Sequence, residues 1–145
     1  MIGDKFVISN DDIPEYVFDE AKFEAEQILN SEYTAKNSLS GRTRSFDEIQ
    51  EDVLLGKIGE YLIKSRYNYT NDDAKWHDLI SPGGNRTEIK TWRKNTITPG
   101  STLREINRLK RRKDSIRKWF FSTKLIIISY DANTGIFEII GIHDI

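Results

Sequence analysis

Pro82-Gly83-Gly84-Asn85 is the feature that most narrows the folds open to this chain. Proline fixes one backbone angle and the glycines admit left-handed conformations, so these four residues form a tight reversal. The sequence reads as extended on both sides, Trp76 to Ile80 before the turn and Arg86 to Arg93 after it, and two such runs pair as an antiparallel hairpin. With the turn centred on Gly83, residues equally distant from it stand opposite one another, which sets Asp78 against Glu88. Directly opposed side chains have Cβ atoms about 4.5–5.5 Å apart, and like charges there are destabilising. Something positive is expected between them. Lys90, two residues beyond Glu88, projects to the same face because the side-chain period of a strand is two.

The rest of the chain supplies the layers that such a hairpin needs. Pro14 opens a helix that runs to about Leu29, with Val17, Phe18, Ala21, Ala25, Ile28 and Leu29 as its apolar positions and an acidic polar face. Ser45 and Glu48 form the S-x-x-E capping box that starts a second helix. This one extends to about Tyr67 on an apolar stripe of Ile49, Val53, Leu54, Ile58, Leu62 and Ile63. Gly56 and Gly59 lie inside it at a cost of about 1 kcal/mol each relative to alanine, which close packing against a sheet would justify. Tyr67 to Thr70 reads as a short strand. A basic helix is predicted from Thr102 to about Phe121, with Leu103, Ile106, Leu109, Ile116 and Trp119 inward, followed by strands Leu125 to Tyr130 and Ile136 to Ile142. The expected architecture is α/β, a central mixed β-sheet flanked by helices, in one domain over residues 1–145. Residues 1–44 form its acidic helix and loop, and residues 45–145 its core.

Composition removes competing chemistries. The chain has no cysteine, which excludes disulfide scaffolds, thiolate zinc sites, iron–sulfur clusters and cysteine nucleophiles together. No apolar run approaches the roughly 20 residues that cross a bilayer, and Met1 to Asp12 lacks the features of a secretory signal. No membrane association and an intracellular, cytoplasmic setting are the expectations, with a bacterium or phage host as the source. The net charge of −1 conceals an acidic amino-terminal part and a basic stretch from Arg104 to Lys118, suited to phosphate contact.

Two carboxylates and a lysine on one face suit a metal. Magnesium binds through hard oxygens, typically one or two carboxylates with several waters and substrate phosphates. It would polarise a phosphoryl oxygen and lower the pKa of a bound water. Lys90, beside it and partly desolvated, would position or deprotonate the attacking water, since lysine shifts its pKa readily when buried.

Asp78, nine intervening residues and Glu88-Ile89-Lys90 resemble the D-x(n)-E-x-K motif of the PD-(D/E)XK, restriction-endonuclease-like nucleases. Gly56-Lys57-Ile58-Gly59-Glu60 is similar to the G-x-x-G-E segment that precedes the core sheet in many members. The resemblance covers about Ser45 to Ile142, and its one departure is His77 where the name of the superfamily has proline. It implies a restriction-endonuclease-like core and a DNA endonuclease leaving 5′-phosphate and 3′-hydroxyl ends. Asp78, Glu88, Lys90 and Glu60 would be catalytic, and Asp78, Glu88, Glu60 and Ile89 would hold Mg²⁺, or Mn²⁺ in its place, with no organic cofactor. A homodimer would bring two active sites to a duplex.

Arg104, Arg108, Arg111 and Arg112 fall at i, i+4, i+7 and i+8, one stripe able to track a phosphate backbone. Arg93 and Lys94 follow the catalytic strand, and Arg42 and Arg44 precede the second helix as further DNA contacts. Trp92 is expected to close the site or pack beside it, and His77 to pack on the opposite face of its strand. The competing function is a non-catalytic nucleic-acid-binding module on the same fold, in which Glu88 and Lys90 form only a surface ion pair.

Overall fold

Leu125-Ile126-Ile127-Ile128 is apolar at every position, the composition of a strand covered on both faces. It lies in the interior of the sheet. The computed structural model describes residues 1–30, 44–72, 79–115 and 122–145. In chain order the elements are β1 (Lys5–Val7), α1 (Glu15–Leu29), α2 (Phe46–Tyr67), β2 (Thr70–Asn71), β3 (Leu79–Ile80), β4 (Arg86–Arg93), α3 (Ser101–Ser115), β5 (Lys124–Asp131) and β6 (Ile136–Asp144). The fold is mixed α/β, with a six-stranded sheet in the order β1-β6-β5-β4-β3-β2. Only β4 and β5 run parallel among these pairs. A parallel pair needs a crossover connection, and α3 supplies it.

The described residues form two compact units. Met1–Ile8 with Gly59–Ile145 contains the sheet and α3. Ser9–Ile58 contains α1 and the first part of α2.

In the unit that holds the sheet, two helical segments cover opposite faces of β4. Leu109 of α3 is buried with Leu125 and Ile127 of β5, and Trp92, Ile106 and Ile145 pack around them. Trp92 therefore packs against α3 and β5. On the other face a Cβ at Gly59 would stand 1.9 Å from Thr91 Oγ1 and 3.4 Å from Ile128 Cδ1. Only a glycine lets α2 approach the sheet this closely. Gly56 differs, because a Cβ there would meet nothing within 4 Å, so close packing does not account for it.

In the second unit, Val17, Ala21 and Ala25 of α1 are buried, as are Ile49, Leu55 and Ile58 of α2. Lys57 Nζ lies 2.7 Å from Glu24 and 3.9 Å from Glu20, so part of the acidic face of α1 meets a cation from α2. Ser45 Oγ accepts the Glu48 backbone N–H at 3.2 Å, and its hydroxyl lies 3.4 Å from Glu48 Oε1. This is the expected cap at the expected residue.

Several expectations are corrected by the structure. The segment before α1 contributes β1, paired to β6 from Lys5↔Glu138 to Val7↔Ile136; three residues are too few for alternation to reveal a strand. The strand expected at Tyr67 begins only at Thr70, because Tyr67 ends α2 and Asn68 adopts φ 59°, the left-handed conformation that closes many helices. Leu103 is 60% exposed rather than inward. It lies roughly 120° around α3 from Leu109, which points at the sheet. The inward positions expected at Ile116 and Trp119 lie outside the described residues.

Candidate active site

The hairpin that carries the site forms in the expected register. Leu79 stands opposite Thr87 and Ile80 opposite Arg86, the spacing set by a turn centred on Gly83. Ser81 closes that turn, its N–H donating to the Asn85 carbonyl at 2.9 Å and its hydroxyl oxygen accepting the Asn85 N–H at 3.0 Å. Gly84 has φ 85°, a conformation that costs glycine little. Asp78, the next residue toward the expected pair with Glu88, lies outside the described residues, as do His77 and Arg42.

Strand alternation sends Glu88, Lys90 and Trp92 to the α3 face of β4, while Ile89 and Thr91 face the other way. Glu88 is buried, with its side chain 8% exposed, and Lys90 Nζ approaches Glu88 Oε1 at 3.5 Å. A carboxylate removed from water costs several kcal/mol unless it is compensated. Lys90 is one compensating charge and Arg108 on α3 is another, its Nη2 lying 4.0 Å from the same Glu88 oxygen.

Glu105 completes the cluster. Lys90 Nζ lies 3.8 Å from its Oε1, and Arg108 grips it through Nη2 at 2.6 Å and through Nε at 3.2 Å to each oxygen. Burial by itself would raise the Glu105 carboxyl, but the hydrogen bond from Arg108 and the positive charges of Lys90, Arg108 and Arg112 together hold it below the ordinary carboxylate value. Two anions and two cations thus share one patch on the inner side of α3. Sequence reasoning missed Glu105, although a signal was present. It precedes Leu109 by four residues, about 40° away around the helix, so its carboxylate points toward the sheet and needs a cation there.

Glu60 is partly buried on α2, next to the Gly59 that meets Thr91 and Ile128 on the opposite face of β4. The side chain of Ile89 faces away from Glu88, and the only ligand atom an isoleucine has is its backbone carbonyl oxygen. Arg104 folds back on the loop before α3, with Nη2 3.0 Å from Thr98 Oγ1 and 3.4 Å from Ser101 Oγ. Arg104 and Arg108 are thus held by different partners. Arg111 and Lys94 are exposed, Arg112 and Arg93 partly so. Arg44, in the other unit, pairs with Asp52 at 2.7 Å.

No group of three or more His, Cys, Asp or Glu able to hold a metal occurs among the described residues, and no helix among them is long and apolar enough to cross a membrane. No family model and no curated protein matches the chain.

Proposed function

We propose that this chain is a magnesium-dependent DNA endonuclease with a restriction-endonuclease-like core, acting at Asp78, Glu88 and Lys90. The observation that carries the reading is the buried Glu88 carboxylate with the Lys90 ammonium 3.5 Å away on the same strand face. A site of this kind is expensive to bury for structural purposes alone, and it suits reaction at a phosphodiester.

The donor set fits a divalent ion of the magnesium type. Glu88 offers a hard oxygen in a buried position, and one or two carboxylates with water and substrate oxygens are sufficient for Mg²⁺ or Mn²⁺. Glu88 and Asp78 would hold the ion, with the Ile89 carbonyl beside them and Glu60 assisting from α2. When bound, the ion would supply Lewis acidity and a more acidic water. The protein's own groups do the rest. Lys90 orients the water and balances charge on the phosphate oxygens, while Lys94, Arg104, Arg111 and Arg112 bind the flanking backbone. Hydrolysis adds water oxygen to phosphorus and breaks the bond to O3′, leaving 5′-phosphate and 3′-hydroxyl ends. A homodimer would let both strands of a duplex be cut.

One observation favours a second reading. The four charges of Glu88, Lys90, Glu105 and Arg108 neutralise one another, as a purely structural ion-pair cluster would, and the chain would then bind nucleic acid without cutting it. Supercoiled plasmid, linear duplex, a four-way junction, and single-stranded and duplex RNA, incubated with Mg²⁺ or EDTA, separate the two. Mg²⁺-dependent cutting that disappears in folded Asp78→Ala and Lys90→Ala variants is the expected result. If every DNA and RNA substrate survives, the binding module replaces the enzyme.

A further inference from the structure

The two cations at this site are shared unequally between its two carboxylates. Arg108 Nη2 stands 2.6 Å from Glu105 and 4.0 Å from Glu88. Lys90 Nζ stands 3.5 Å from Glu88 and 3.8 Å from Glu105. Glu105 thus takes most of the guanidinium and a share of the ammonium, though burial alone would disfavour a charge at its position. Its side chain is 13% exposed, and its place on the inward face of α3 next to Leu109 holds it over β4.

We propose that Glu105 is a positioning residue: by drawing Arg108 and part of Lys90 onto itself, it lessens the positive charge held at the Glu88 carboxylate, where a divalent ion would bind. The proposal rests on the nuclease reading. Its physical basis is competition for one anion. A dication approaching Glu88 is repelled by any cation already held there, and at about 4 Å this repulsion is large in a partly desolvated site. Without the Glu105 charge, Arg108 and Lys90 would both turn to Glu88 and occupy the place of the ion. With it, each retains a partner when the ion arrives, and Lys90 remains beside the reacting phosphate.

The test is direct Mn²⁺ titration of the full chain without DNA, followed by the loss of the free Mn²⁺ paramagnetic signal. Wild type should bind, and Glu88→Gln should not. Glu105→Gln, nearly the same shape but uncharged, should weaken binding by about tenfold. Glu105→Asp, which keeps the charge, should bind close to wild type. Adding Arg108→Gln to Glu105→Gln removes one of the two competing cations and should restore part of the affinity, which a merely structural role for Glu105 would not predict. Should Glu105→Gln alone fail to fold, Arg108→Gln alone still decides, because it should bind Mn²⁺ at least as tightly as wild type. Unchanged affinity in Glu105→Gln, or weakened affinity in Arg108→Gln, overturns the role of Glu105 while wild-type binding lost in Glu88→Gln leaves the nuclease reading standing. If wild type and Glu88→Gln bind Mn²⁺ alike, or neither binds, the nuclease reading fails and this proposal fails with it.

Discussion

Glu88 and the glycines of α2 show how much depends on single residues. Replacing Glu88 by Gln removes a buried charge while Lys90 and Arg108 keep Glu105 as a partner. Folding stability by urea denaturation should therefore stay within about 1 kcal/mol of wild type while cleavage is lost, because the cations left behind are partly exposed, Lys90 32% and Arg108 42%, and exposed ion pairs contribute little. A loss well above 2 kcal/mol would instead mark Glu88 as structural. Gly59→Ala forces a methyl into Thr91 Oγ1 and should destabilise by about 1–3 kcal/mol, the usual cost of overpacking. Gly56→Ala has open space and should stabilise by about 1 kcal/mol through helix propensity. Tyr67 gives a test by pH. Its hydroxyl donates to Asp4, and burial, followed by that hydrogen bond and the Asp4 charge, against a small opposing effect of Arg66, pushes its phenol up to about 12. A folded pKa above the unfolded value gives stability that is complete below pH about 10 and disappears as pH rises through the folded pKa. Ultraviolet titration should show a tyrosine ionising near pH 12, and Tyr67→Phe should remove that late step.

At the scale of elements, local and non-local determinants separate. The start of α2 is local, a serine whose hydroxyl oxygen caps the Glu48 N–H. Ser45→Ala should lower stability by about 1 kcal/mol in thermal or chemical denaturation; an unchanged midpoint would mean that neighbouring groups or water satisfy that amide. The hairpin of β3 and β4 is equally local, so its register could be read from Pro82 to Asn85. The edge strand β1 could not. It pairs with Phe137 and its neighbours at the far end of the chain, and nothing in Lys5-Phe6-Val7 announces that partner. Phe6 meets Tyr67 edge-on at 6.2 Å and carries the Arg66 guanidinium 5.7 Å above its ring, which ties β1 to the end of α2. The exposed Leu103 has the same lesson for α3, because the sheet selects the inward face around Leu109, and helical spacing alone admits a wider arc.

At the scale of the whole molecule, charge is the property to test. The net charge of −1 opposes general affinity for DNA, so binding must come from a local basic surface. If Lys94, Arg104, Arg111 and Arg112 contact phosphates, log affinity for nonspecific duplex in EDTA should fall against log salt with a slope of about −3 to −4. That is roughly a hundredfold between 50 and 200 mM. A flat response would remove these four residues from the interface and favour a protein partner for the basic helix.

The sequence by itself determined the α/β class, the second-helix cap, the hairpin and its register, and the common face of Glu88 and Lys90. Each of these follows from turn chemistry or from a repeat of two or 3.6 residues, which act over a few neighbours. Only the tertiary structure decided that Glu105 and Arg108 join Glu88 and Lys90, that α2 covers the opposite face of β4 through Gly59, and that β1 completes the sheet. The first of these depends on the parallel pairing of β4 with β5, whose crossover carries α3 across the strand face. Contacts between elements distant in the chain are fixed by packing and charge compensation, and no local pattern encodes them.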